Sequence, residues 1–181
     1  MIRAFVGLRI PEQVTRELVA FQAGLPAGRP VPPENLHLTL AFLGEHPEPV
    51  IEDAHHALSG IRSARFEVSL HGLDLMGGSR AQALGILAEP NPELAALNGR
   101  VRQAARMAGI ELGRERYTPH VTLARFARIP AGDDGQRLRD FTARGAGLRA
   151  GPFLVESFFL IRSWLGQSGA IYDDLAEYAL G

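Results

Sequence analysis

Histidine and threonine occur together twice in this chain, as His37-Leu38-Thr39 and as His120-Val121-Thr122. An imidazole titrates near neutral pH, so one copy can accept a proton while the other gives one. A hydroxyl beside each imidazole can donate a hydrogen bond to a non-bridging phosphate oxygen and stabilise its developing charge. Two such pairs flanking a phosphodiester suit an in-line displacement. One histidine takes the proton of the attacking oxygen, and the other protonates the leaving oxygen. Each role typically contributes about 10²–10⁴-fold. Two imidazoles and two neutral hydroxyls are a poor ligand set for a metal, and the chain has no cysteine, so neither a metal nor a cofactor is expected.

Both pairs sit where strands are expected. From Asn35 to Gly44 polar and apolar residues alternate, then turn wholly apolar, then stop at glycine. Successive strand side chains point to opposite faces, so Leu36, Leu38 and Leu40 share a core face while His37 and Thr39 share the other. Residues 118–126 repeat the arrangement, with Val121 and Leu123 inward and His120 and Thr122 outward. The pairs are too far apart in sequence for a local motif and suit two copies of one structural unit facing each other.

The remaining elements support that unit. Ile2–Arg9 reads as a strand. Pro11 opens a helix with Val14, Leu18 and Phe21 as its stripe, ended by Gly24, and residues 24–33 read as a loop. A helix from near Pro47 carries Val50, Ile51, Ala54 and Leu58. Strands at 66–75 and 83–88 flank a turn at Met76-Gly77-Gly78-Ser79. Asn91 caps a helix with Pro92 at its first position and Leu94, Leu97, Val101, Ala104 and Ala108 inward, closed by Gly109. After the second motif come a short helix over 136–143, a loop over 145–151, one long strand from Phe153 to Trp164, and a return strand over 170–179. The order is internally repetitive. It predicts an α+β protein, residues 1–181 forming one bilobal domain of two similar antiparallel sheets, helices outside and a central cleft lined by the motif strands.

With these flanks, the chain resembles the 2H phosphoesterase superfamily, and most of all the RNA 2′,3′-cyclic phosphodiesterases, historically called 2′–5′ RNA ligases. The likeness rests on Ile2-Arg3-Ala4-Phe5-Val6-Gly7-Leu8, on Glu34-Asn35-Leu36-His37-Leu38-Thr39-Leu40 with Phe42-Leu43-Gly44-Glu45, and on Tyr117-Thr118-Pro119-His120-Val121-Thr122-Leu123-Ala124-Arg125. The tail from Ser157 through Leu165 to Tyr172 and Leu180 fits as well. The resemblance implies the bilobal LigT-like fold. It also implies opening of a 2′,3′-cyclic phosphate to a 2′-phosphate, with His37 as proton donor and His120 as proton acceptor, and reversal to a 2′–5′ ligation. The residues themselves are symmetric and do not choose donor from acceptor. The expected partner is an RNA with a 2′,3′-cyclic phosphate terminus or a nucleoside cyclic phosphate. Alternatives are a sister activity on 2′–5′ oligonucleotides or small cyclic phosphates, and an RNA-terminus binding protein without turnover.

Arg125 matches an arginine that follows the family's second motif and could bind phosphate through its forked donors. Strict alternation puts it on the core face, so it reaches the cleft only through a twist, a bulge or the strand's end. Tyr117 and Phe5 are candidates for stacking on a base, against the simpler role of core packing. Arg162 could face cleft or solvent. His46, His55, His56 and His71 read as surface residues.

With 181 residues and a net charge of −1, the chain fits one domain and lacks the basic excess of a protein that grips long nucleic acid. All 19 basic residues are arginine, and those at 100, 102, 106, 114 and 116 form the one concentration in sequence. No apolar run approaches the roughly 18 residues of a membrane span, and no signal peptide is evident. A cytoplasmic protein with no membrane contact and no obligate protein partner is therefore expected.

Overall fold

A computed structural model describes residues 1–77, 82–114, 116–166 and 169–181. The expected turn at 76–79 lies partly outside them, at Gly78 and Ser79. The strands, in chain order, are β1 (Ile2–Arg9), β2 (Arg29–Pro30), β3 (His37–His46), β4 (Phe66–Met76), β5 (Ala83–Ala88), β6 (His120–Arg125), β7 (Arg149–Val155), β8 (Ser157–Gly166) and β9 (Gly169–Ala179). The helices are α1 (Glu12–Gln22), α2 (Glu48–Ser59), α3 (Pro92–Met107) and α4 (Gly132–Arg144). The α+β architecture agrees with the expectation. No helix among the described residues is long and apolar enough to cross a membrane.

The strands lie antiparallel in the order β7-β4-β5-β6-β3-β1-β8-β9, with the two-residue β2 added beside β6. Four strands lie on each side of the β6–β3 junction, and the inner pairs correspond in chain order: β1, α1 and β3 on one side, β5, α3 and β6 on the other, with the motif strand innermost in each. The two four-stranded halves meet at one residue pair, Leu38 with Val121. These are the inward neighbours of the motif residues, both fully buried.

The halves are interleaved in sequence. β1 and β3 are joined by β8 and β9 from the far end of the chain, and β4 pairs with β5 and β7 in the other half. Helices cross over too. α1 follows β1 yet packs against β6 and β7, and α3 follows β5 yet packs against β3, β4 and α2. Asn91 caps α3 as its sequence suggests, its side chain accepting from the Leu94 amide at 2.8 Å.

Three boundaries differ from the sequence reading. The loop over 24–33 contains β2. The last helix is longer than 136–143, starting at Gly132. The long strand expected from Phe153 to Trp164, after a loop to Gly151, is two strands that begin at Arg149 and break at Glu156. β7 pairs with β4 in one half and β8 with β1 in the other. The break was written in the phase of the apolar residues. Phe153 and Val155 are buried, then Phe158 and Leu160, so the inward parity changes across the exposed Glu156.

Candidate active site

His37 and Thr39 extend from β3, and His120 and Thr122 from β6. The antiparallel pair Leu38–Val121 sets His37 alongside Thr122, and Thr39 alongside His120, on the face away from the core. Each imidazole thus neighbours the threonine of the other motif. Both histidines are anchored alike. His37 Nδ1 lies 2.7 Å from the Asn35 carbonyl and His120 Nδ1 lies 2.8 Å from the Thr118 carbonyl, two residues back in each case. A carbonyl only accepts, so each Nδ1 carries the proton and each Nε2 is left free for a substrate.

A glycine lies opposite each threonine. Gly7 of β1 pairs with Thr39 and Gly85 of β5 with Thr122. A Cβ at Gly7 would lie 3.0 Å from the Leu38 carbonyl oxygen and 3.3 Å from the Phe5 ring. One at Gly85 would lie 3.1 Å from His120 Cδ2. Bare backbone at these two symmetric positions leaves the sheet face clear beside the hydroxyls.

Both motif strands then bulge. Val6 pairs with Ala41 and Gly7 with Thr39, which leaves Leu40 unpaired. Leu84 pairs with Ala124 and Gly85 with Thr122, which leaves Leu123 unpaired. The two buried polar side chains among the described residues serve these bulges. Gln22 Nε2 of α1 donates to the Leu123 carbonyl at 2.8 Å and to Val31 at 2.8 Å, and Asn98 Nδ2 of α3 donates to the Leu40 carbonyl at 2.7 Å. The bulge flips the parity that had assigned Arg125 to the core. Ala124 is buried and Arg125 is exposed at the end of β6, in the cleft. The equivalent shift in β3 exposes Phe42.

His37, Thr122 and Arg125 open onto a cleft of about 1120 Å³, shared with Arg9, Arg29, Arg128 and Tyr172. Burial is the main force that lowers the His37 pKa, to about 4, reinforced by the positive charges of Arg125, Arg9 and His120 and opposed by the Asn35 bond. His37 is therefore neutral at pH 7 in the resting protein.

The two aromatic candidates do not offer stacking faces to the cleft. Phe5 is only 3% exposed, with its ring 4.6 Å from His37 and 5.1 Å from Tyr172 between centroids. Tyr117 spends its hydroxyl on the Thr39 carbonyl at 3.1 Å, which ties the second motif's approach to the first motif, and burial raises its pKa. Phe126 and Tyr172 are the aromatic residues that line the cleft, Tyr172 edge-on to His37 at 5.2 Å. The Tyr172 hairpin is held against the first motif by Asn35 Nδ2, which donates to the Ala170 carbonyl at 2.7 Å. Arg162 packs over the Trp164 ring at 3.3 Å.

The basic concentration also differs from the one read in sequence. Arg100 and Arg102 donate to the carbonyls of Arg62 and Gly113. The arginines that gather in space, Arg9, Arg29, Arg125 and Arg128, are scattered along the chain and meet at the cleft. His46 and His55 bond to the Leu43 carbonyl and the Tyr178 hydroxyl, outside it.

Comparison with known proteins bears on this geometry. A family model described as LigT like Phosphoesterase matches the chain twice, over residues 8–86 and 84–172. An RNA 2′,3′-cyclic phosphodiesterase of Thermus thermophilus is 33% identical, over 99% of this chain and 90% of that protein. The protein of the same name from Escherichia coli is 36% identical over 69% of this chain and 72% of its own length. The crystal structure of E. coli LigT complexed with 3′-AMP superposes with a TM-score of 0.81 at 25% identity, covering 99% of this chain and 98% of that one.

Proposed function

Because the chain belongs to the LigT-like phosphoesterase family, we propose that it hydrolyses 2′,3′-cyclic phosphate ends of RNA to 2′-phosphomonoesters. The observation that carries this reading is the meeting of the two His-x-Thr pairs on one sheet face across Leu38–Val121, each with a free Nε2.

In the proposed reaction the cyclic phosphate lies between the imidazoles. Thr39 and Thr122 donate to its non-bridging oxygens. His120 removes a proton from water as the water oxygen attacks phosphorus. The bond from phosphorus to the 3′ oxygen breaks, and His37 protonates that oxygen. The 2′ ester remains, and ring strain helps the single cleavage. Donor and acceptor are assigned by family resemblance. The reverse step, attack by a 5′ hydroxyl, would form a 2′–5′ linkage. No step is routed through a metal. Because His37 is neutral at rest, its donor role requires a proton taken up with the anionic substrate, whose charge offsets Arg125 and Arg9.

Turnover of a short RNA ending in a 2′,3′-cyclic phosphate, measured in EDTA with the product phosphate located by NMR, tests the proposal. We expect wild-type activity, a 2′-phosphate, and losses of about 10²–10⁴-fold in His37→Ala and in His120→Ala. Full activity in either variant would overturn the two-histidine mechanism. A folded but inactive wild type would point first to sister cyclic or 2′–5′ substrates.

A further inference from the structure

The cleft onto which His37 and Thr122 open continues beyond them, and its continuation is cationic. Arg29 of β2 is the direct cross-strand partner of Arg125 of β6. Two like charges set opposite each other on neighbouring strands are destabilising unless an anion joins them. None of the ion pairs among the described residues involves Arg29, Arg125 or Arg128. By contrast Arg9, in the same cleft, is paired with Asp174. Arg29 also reaches out of its own half. A Cβ on Gly169, at the tip of the β8–β9 hairpin, would lie 2.6 Å from Arg29 Nη2, so that glycine makes room for the guanidinium.

The arrangement is one-sided. Where the bulge of β6 presents Arg125, the symmetric bulge of β3 presents Phe42, capped by Arg3 at 5.0 Å. The cleft therefore has a cationic end along β6 and β2 and an uncharged wall at Ala170, Ile171 and Tyr172. A strand rises about 3.3 Å per residue, so Arg125 and its partner Arg29 lie roughly 10 Å along β6 from Thr122, less the bulge. Arg125 still acts on His37 and stays with the reacting phosphate, whereas Arg29, opposite it on β2, and Arg128, three residues further along the chain, are placed for a second one.

We propose that Arg29 and Arg128 form a second phosphate subsite, which takes the phosphate esterified to the 5′ oxygen of the terminal nucleotide. It rests on the reading of the motif residues as the site of the reacting phosphate. Guanidinium forks bind phosphate oxygens in pairs, and two unneutralised forks beside Arg125 supply the charge. The subsite makes the protein a reader of RNA ends: a bare nucleoside cyclic phosphate leaves it empty. The 5′ phosphate could be the diester to the preceding nucleotide or a free monoester.

Binding and turnover separate the outcomes. Calorimetry compares a nucleoside 3′-phosphate, a nucleoside 3′,5′-bisphosphate and a dinucleotide with a 3′-phosphate, on wild type, Arg29→Ala, Arg128→Ala and Arg29→Lys. We expect the two ligands with a 5′ phosphate to bind about tenfold or more tightly than the nucleoside 3′-phosphate. That ratio should collapse in Arg29→Ala and fall in Arg128→Ala, with partial recovery in Arg29→Lys. The extra salt slope, about 0.7 per phosphate in a single strand, should vanish with it. Preference for the bisphosphate alone would identify a monoester site, and equal preference a site for either ester. A ratio near one in wild type, or unchanged in both alanine variants, overturns the subsite. The corresponding cyclic substrates read kcat/KM separately. Absence of turnover would count against the hydrolase reading while the binding ratio still decides the subsite.

Discussion

Two histidines with the same local bond need not be equivalent, and His37 shows why. Its ring lies against Phe5 and Tyr172 in a partly buried setting near Arg125 and Arg9, so its proton is lost at about pH 4 instead of the ordinary value near 6.5. The unfolded chain binds a proton at this residue between those two values and the folded one does not. Folding stability contributed here is complete above pH 6.5 and declines as pH falls toward 4. Denaturant midpoints should drop over that interval, and less so in His37→Gln. Binding of inorganic phosphate at pH 7 should take up more protons in wild type than in His37→Ala, read from calorimetry in buffers of different ionisation enthalpy, the variant accounting for the ligand's own titration. Equal uptake in the two would move the donor role to His120. Gly85 belongs at this scale as well. Gly85→Ala puts a methyl 3.1 Å from His120 Cδ2 and 3.2 Å from the Val121 carbonyl, so it should cost about 1–3 kcal/mol and lower kcat by displacing the imidazole.

At the level of elements, the site depends on two β-bulges and on the helices that hold them. A bulge frees a carbonyl from the ladder, and a buried carbonyl without a partner is costly. Asn98 of α3 answers this for the Leu40 carbonyl, and Gln22 of α1 joins the Val31 amide, at 2.9 Å, in donating to the Leu123 carbonyl; both helices cross over to the opposite half. Gln22→Leu and Asn98→Leu should each destabilise by about 1–3 kcal/mol in denaturant titrations. The Gln22 change should also weaken phosphate binding, because its bulge directs Arg125. Asn98→Leu should spare Arg125 and act through Thr39 instead, reducing kcat with less change in KM. Neither amide stood out in sequence, where each reads as an ordinary polar residue on a helix. The helix stripes were legible, but which strand each stripe covers was not.

Considered whole, the molecule is two halves that cannot be cut apart in sequence. The β3-β1-β8-β9 half takes its inner strands from the start of the chain and its outer ones from the end. A fragment of residues 1–126 lacks β7, β8 and β9, which exposes the edges of β1 and β4. Such a fragment should show no cooperative unfolding by circular dichroism, and mixing it with residues 127–181 should restore structure. A folded, cooperative fragment would contradict a single bilobal domain. Net charge is a further property of the whole: a total of −1 coexists with four arginines around one cleft. Overall composition bounds long-range attraction to nucleic acid and is silent about a local site.

The sequence by itself determined the element types, the core faces and the pairing of imidazole with hydroxyl, because periods of 2 and 3.6 are local properties of the backbone. The duplicated His-x-Thr pattern and the repeated element order were visible for the same reason. Tertiary structure alone decided which strand lies beside which, that each histidine neighbours the other motif's threonine, and that Arg125 turns outward. It also decided that Phe5 and Tyr117 support the motif residues from within while Tyr172 lines the cleft. These outcomes depend on register, bulges and contacts between residues far apart in the chain, such as the pair Leu38–Val121. No local period encodes them, because each is settled only when two distant strands compete for the same core.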